Sequence, residues 1–122
     1  MADAFDETTA KTKRVVEAFN EALNRHDMDA VMALMTDDCV FENTSPPPDG
    51  ERYDGQAAVR AFWQALVDGT PFARFDAEEL VACGDRCFVR WRYDYGAGHV
   101  RGIDAFTVRD GKVAEKLAYV KG

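Results

Sequence analysis

The chain has 122 residues, 47% of them hydrophobic and 30% charged, with 22 acidic against 15 basic side chains for a formal charge of −7. That length suits a single domain spanning 1–122 with no room for a second core, and the apolar fraction is enough to outweigh the chain entropy lost on folding. The negative balance repels phosphate backbones and anionic membrane surfaces, which argues against nucleic acid and membranes as partners.

Met1 to Thr12 carries Asp3, Asp6 and Glu7 where a secretory signal needs basic residues and then an apolar run. No apolar stretch nears the ~20 residues of a membrane span, so a soluble, cytoplasmic protein is expected. In that compartment the Asn43-Thr44-Ser45 glycosylation pattern carries no weight. Val15, Val16, Phe19, Ala22 and Leu23 recur at helical spacing and predict a first helix over about Thr8 to His26. Asp27 is placed to cap a short second helix, Met28 to Met35, which Thr36-Asp37-Asp38 stops. Cys39-Val40-Phe41-Glu42 reads as a strand. The proline-rich run Pro46 to Gly50 then forms a loop that cannot join a ladder, and is a candidate pocket rim. After Gly55, a third helix from Gln56 to about Val67 gathers Val59, Phe62, Trp63 and Leu66 on one side.

From Ala73 the pattern changes to period two, and turn residues divide it into strands of about 73 to 83, 86 to 95, 99 to 109 and 112 to 121. Helices first and strands later indicate α+β. A turn at Gly84-Asp85 sets Glu79 opposite Arg90, Leu80 opposite Val89 and Ala82 opposite Cys87. A turn at Ala97-Gly98 sets Val89 opposite Phe106, Trp91 opposite Asp104 and Tyr95 opposite Val100. The turn at Asp110-Gly111 sets Asp104 opposite Leu117 and Phe106 opposite Glu115, which leaves Glu115 diagonal to Asp104 on the same face, ~7 to 8 Å away.

Asp104 is the informative residue, a carboxylate where alternation calls for an apolar side chain. A buried carboxylate must be paired, hydrogen-bonded or protonated, and each outcome makes it a site candidate. The bland alternative is a structural bond to Trp91, Tyr93 or Tyr119, or an open, wet end of the sheet. Glu115, near the sheet end, could instead reach solvent or pair with Arg109, and Glu42 could belong to either face. His26 and His99 lie outside any apolar pattern, and with Cys39, Cys83 and Cys87 they give no metal spacing, so no cofactor or metal is implied. The cysteines read as reduced, buried thiols. Arg86, Arg90, Arg92, Arg101 and Arg109 fall on the outer sheet face beside Phe88 and Ile103, a salt-bridged surface for a second copy and hence a homodimer.

The run Ala22-Leu23-Asn24-Arg25-His26-Asp27, then Met28 to Leu34, then Asp37-Asp38-Cys39-Val40-Phe41-Glu42-Asn43, resembles the nuclear transport factor 2-like superfamily, and most closely its ketosteroid isomerase and SnoaL-like members. Tyr53-Asp54-Gly55 leading into Val59 to Trp63, and Asp110-Gly111-Lys112-Val113 before a final strand, extend the likeness over nearly the whole chain. The resemblance implies a cone-shaped α+β barrel, three helices packed on a strongly curved, mainly antiparallel sheet, around a pocket for a small hydrophobic molecule. Ketosteroid isomerases use a base aspartate and an oxyanion hole made of a tyrosine and a protonated aspartate. By position, Asp104 matches the oxyanion aspartate, while Phe19 stands in the tyrosine's place and Asn43 in the base's. Phe19 cannot donate a hydrogen bond and Asn43 cannot accept a proton at neutral pH, so the steroid isomerase route is not implied. Ala118 stands where related limonene epoxide hydrolases carry an aspartate.

Two functions compete at the pocket. One is a cofactor-independent SnoaL-like acid/base enzyme of isomerase, cyclase or hydrolase type, with Asp104 acting on an apolar, carbonyl-bearing substrate. Phe19, Asn43, Tyr53, Phe62, Trp63, Trp91, Phe106, Glu115 and Tyr119 would then form the substrate site. The other is a non-catalytic binding protein for a small hydrophobic metabolite, in which Asp104 and Asn43 only orient the ligand. A third use, as an assembly module, would place function on the outer sheet face.

Overall fold

The computed structural model describes residues 3–122, so the first two residues of the N-terminal segment read for an export signal lie outside it. Three helices pack on a six-stranded sheet: α1 Ala4–Asn24, α2 Met28–Ala33, β1 Met35–Glu42, β2 Arg52–Asp54, α3 Gln56–Gly69, β3 Arg74–Cys83, β4 Arg86–Asp94, β5 His99–Arg109 and β6 Lys112–Val120. Among the described residues no helix is long and apolar enough to cross a membrane.

Helix α1 begins earlier than its apolar stripe, because the Asp3 carboxylate accepts the Asp6 N–H at 2.9 Å and Asp6 and Glu7 meet the positive end of the helix. Its buried residues Thr12, Val16, Phe19, Ala22 and Leu23 follow the predicted spacing. Asn24 then ties the helix to the sheet edge: its side-chain amide donates to the Phe75 carbonyl at 2.7 Å and accepts the Phe75 N–H at 2.9 Å. Asp27 caps α2 as expected, at 3.1 Å from the Ala30 N–H. Met35, predicted to end α2, instead starts β1. The Leu34 carbonyl accepts the Val113 N–H at 2.7 Å, drawing the chain into the sheet. The short strand β2 has no counterpart in the sequence reading, since three residues carry no period.

The sheet order is β2-β1-β6-β5-β4-β3, antiparallel except where β1 runs parallel to β6. The result is an open α+β cone; β2 and β3 are free edges, so the sheet does not close into a barrel. Helix α1 lies on β3 and β4 and α3 on β1 and β2. Between them Val16, Phe19, Val31, Phe41, Trp63 and Phe106 fill the core.

The β3–β4 register is the predicted one, with Glu79 opposite Arg90, Leu80 opposite Val89 and Ala82 opposite Cys87. Cys39 and Cys87 are buried free thiols, whereas Cys83, expected to be buried, is exposed on the outer face of β3. In the β4–β5 hairpin the turn is Gly96-Ala97, not Ala97-Gly98. Asp94 Oδ1 accepts the Gly96 N–H at 3.1 Å, Gly96 takes a φ of 93°, and Tyr95 N–H reaches the Gly98 carbonyl at 3.1 Å. Val89 therefore faces Asp104, Trp91 faces Gly102 and Tyr93 faces Val100. The displacement is two residues, an even number, so the predicted faces survive.

The β5–β6 hairpin departs by an odd number. Its turn is Asp110-Gly111 as expected, both residues at positive φ, and Val108 faces Val113. The register then shifts, so that Thr107 faces Glu115, Phe106 faces Lys116 and Asp104 faces Ala118. Ala114 is the extra residue of a β-bulge, which lets Val113 and Ala114 both be buried. Beyond it every side chain of β6 changes face. Glu115, predicted to share the inner face with Asp104, turns outward, and Lys116 turns inward.

The observed β4–β5 register makes a steric demand at Gly102, where a Cβ would overlap both the Trp91 ring and the Tyr119 carbonyl oxygen. Overpacking of this kind costs about 1 to 3 kcal/mol. Gly102→Ala is expected to lower the denaturant midpoint accordingly, and an unchanged midpoint would contradict the pairing of Trp91 with Gly102.

Candidate functional site

Between α3 and the concave face of the sheet lies a cavity of about 280 Å³. Helix α3 contributes Phe62, Trp63 and Leu66, one face of the amphipathic pattern that defined the helix. Alternate residues Trp91 and Tyr93 of β4 form the opposite wall. Asn43, Thr44 and Ser45 edge the opening, with the exposed Tyr95 and Val100 from the β4–β5 hairpin. The proline loop Pro46 to Gly50, expected as a rim, contributes no lining residue; the three residues before it do.

The closed end holds Phe41, Asp104 and Lys116. Asp104 is 5% exposed and Lys116 4%, and among the described residues they are the only buried charged side chains. Lys116 Nζ lies 3.3 Å from Asp104 Oδ2. The same ammonium sits over the rings of Phe41 and Trp63, both at 4.8 Å, and of Phe106 at 5.8 Å. Among the described residues, Asp104 Oδ1 and the indole nitrogens of Trp63 and Trp91 make no hydrogen bond of ordinary geometry, although the Trp91 indole lies close enough to the carboxyl to favour its charged form.

Burial pushes the Asp104 carboxyl above its ordinary value, outweighing the Lys116 charge and the neighbouring Trp91 indole, which pull it down. Burial likewise pushes Lys116 below the usual lysine range, against the pull of Asp104. Both shifts favour the neutral forms. Among the described residues no three His, Cys, Asp or Glu side chains group closely enough to share a metal ion.

Of the candidate residues read from the sequence, Asp104, Asn43, Phe62, Trp63 and Trp91 border the cavity. Phe19 and Phe106 do not. They are fully buried beneath it, packed edge to face on each other at 5.7 Å, with Phe19 edge-on to Trp63 at 6.4 Å. Tyr53 stands behind the wall, stacked on Phe41 at 6.1 Å. Tyr119 is 56% exposed on the outer face, and Glu115 points the same way, close to Thr107 Oγ1. Glu42 alternates with the inward Phe41 and approaches Arg52 at 4.0 Å on the far side. His99 is exposed beside Arg101, away from the cavity. The sequence reading missed Lys116 altogether. The adjacent apolar pair Val113-Ala114 was the available signal, because two consecutive inward residues in a strand require a bulge.

A family profile described as the SnoaL-like domain matches residues 16–116. No curated protein matches this sequence. Among solved structures, an NTF2-like protein of unknown function from Mesorhizobium loti is 38% identical, with a TM-score of 0.87 over 100% of this chain and 98% of the other. A candidate ketosteroid isomerase from Kribbella flavida is 20% identical, TM-score 0.82, over 98% of this chain and 83% of the other. A candidate polyketide cyclase from Sinorhizobium meliloti is 23% identical, TM-score 0.76, over 86% and 93%. The last two share the fold. Because the profile match runs from within α1 into β6 and so covers most of the chain, the chain belongs to the SnoaL-like domain family.

Proposed function

We propose that the cavity binds a small, hydrophobic, carbonyl-bearing molecule and that Asp104 performs acid/base chemistry on it, as in an isomerase or cyclase. The observation that carries this reading is a buried carboxylate, Asp104, lining an otherwise largely aromatic cavity beside a buried ammonium. A carboxyl raised by its apolar surroundings is a stronger base once ionised and a competent acid when protonated. The aromatic walls supply the binding surface for a flat apolar body, and Asn43 and Ser45 at the opening supply polar contacts for its outer end.

Stability gives a second argument. A buried ion pair often contributes less than well-packed apolar residues of the same volume, whereas breaking it strands a charge. Such a pair beside a cavity is better explained by use than by support. The outer sheet face supports a further proposal, self-association into a homodimer. Val81, Phe88, Ile103 and Tyr119 are exposed there among Glu78, Glu79, Arg90 and Arg101, a mixture of signs that a two-fold axis can match against itself.

Three outcomes are expected. The protein should accelerate solvent deuterium exchange at the α-carbon of 2-tetralone, followed by NMR, by about 10² to 10⁴ over buffer. The rate should rise with pH as Asp104 ionises, with a midpoint above the ordinary aspartate value of 3.8, and be lost in Asp104→Asn. Quenching of Trp63 and Trp91 fluorescence without any exchange would instead establish the non-catalytic binding protein. In chemical denaturation, Lys116→Met alone should cost about 3 to 5 kcal/mol, while Asp104→Leu combined with Lys116→Met should be neutral or stabilising by about 1 to 4 kcal/mol. The double variant should also lose the Asp104 contribution, which is present below pH 3.8 and disappears as pH rises through the raised folded value. A double variant less stable than either single one would make the pair a structural device. Light scattering should give a dimer mass, reduced to that of a monomer by Ile103→Glu; a monomeric wild-type protein removes the interface proposal.

A further inference from the structure

Lys116 is not explained by acid/base work at Asp104 alone. An exposed lysine could not be trapped as this one is, with its ammonium between three aromatic rings and a carboxylate, in a side chain that borders the cavity. We propose that Lys116 is a carbonyl-capturing amine, which condenses with an aldehyde or ketone of the bound molecule to give an iminium while Asp104 carries the protons. This rests on the reading of the cavity as a site for carbonyl compounds and names the covalent chemistry performed there.

The atoms balance within the pair. A proton crosses the 3.3 Å from Nζ to Oδ2, leaving a neutral amine beside a carboxylic acid. The direction of both pKa shifts favours this transfer. The amine lone pair forms a bond to the carbonyl carbon, the C–O π pair moves to oxygen, and oxygen takes the Asp104 proton. Nitrogen then returns one proton to Asp104. In the next step the nitrogen lone pair expels the hydroxyl, which leaves as water with that proton. An iminium and a carboxylate remain, so the pair begins and ends neutral overall. Asp104 can then remove an α-proton to give an enamine, and the reverse steps with water release the ketone.

The surroundings suit the iminium better than the ammonium. Ring faces attract cations, and a delocalised iminium is less strongly hydrated than an ammonium, so it loses less on leaving water. Asp104 is already placed as its counter-ion. Desolvated lysines in apolar pockets are the ones that act as nucleophiles at neutral pH. The other four lysines, Lys11, Lys13, Lys112 and Lys121, are all exposed and have no such setting.

The test uses the full chain with 2-tetralone and sodium cyanoborohydride, followed by digestion and mass mapping. The expected result is a gain equal to the ketone less one oxygen atom, carried by Lys116 in preference to the four exposed lysines and lost in Lys116→Arg, whose guanidinium stays protonated. Should Lys116→Arg not fold, mapping in the wild-type protein decides the matter, because it locates the bond on one lysine of five. Deuterium exchange without an adduct at Lys116, or adducts on the exposed lysines alone, overturns the covalent step and leaves acid/base chemistry at Asp104 standing. Absence of adduct, exchange and tryptophan quenching together removes both.

Discussion

Ala114 is the residue on which the cavity's chemistry turns, because one extra residue in β6 decides which charge faces Asp104. Without the bulge, pairing continued from the Asp110-Gly111 turn would bring Glu115 inward and send Lys116 to solvent. Two carboxylates would then share an apolar face with no cation between them, and like charges in a low dielectric cannot both stay ionised. With the bulge, Asp104 meets an ammonium at 3.3 Å. A single backbone irregularity thus converts an arrangement that folding would resist into a neutral, tolerable one.

The same register assembles the aromatic surroundings. Parallel pairing sets Phe41 of β1 directly beside Lys116, and antiparallel pairing sets Phe106 of β5 beside it from the other flank. Trp63 reaches the ammonium from α3, held over β1 by contact with Phe41 at 4.6 Å. Three separate segments therefore converge on one nitrogen. On the far wall the Trp91 ring occupies space that a side chain at Gly102 of the neighbouring strand would fill.

What the sequence made legible follows from how far each signal reaches. Helices α1 and α3, the four long strands and the inward side of β5 rest on periodicity, which survives any even error in register; the misplaced Ala97-Gly98 turn left Asp104 on the correct face for that reason. The Asp104–Lys116 pair escaped a reading by simple alternation, because it depends on a bulge, an odd shift marked only by the adjacent apolar residues Val113 and Ala114. Tyr119 and Glu115 were carried to the wrong face by the same missing residue. Phe19 and Phe106 were placed on the correct faces but at the wrong depth, since a period gives direction and not distance from the cavity. Strand β2 was too short to register at all.

Family membership fixes the scaffold and leaves the chemistry to the residues inside it. The resemblance that identified Asp104 with an oxyanion aspartate also put Phe19 where such sites carry a tyrosine, and the structure places that ring wholly within the core, where it packs on Trp63 and Phe106 and does not line the Asp104 cavity. An oxyanion site stripped of its hydroxyl donor has lost the group that polarises a carbonyl. On the proposed reading Lys116 restores it, because an ammonium beside the carbonyl oxygen polarises it electrostatically and an iminium does so covalently, and the latter acidifies the α-carbon more strongly. On that reading Asn43 need not be a base, since the carboxylate 3.3 Å from Lys116 Nζ would take the proton. Acid, base and electrophile would then reside in two adjacent side chains, which is fewer than the three of a steroid isomerase and requires only the pair that the bulge brings together.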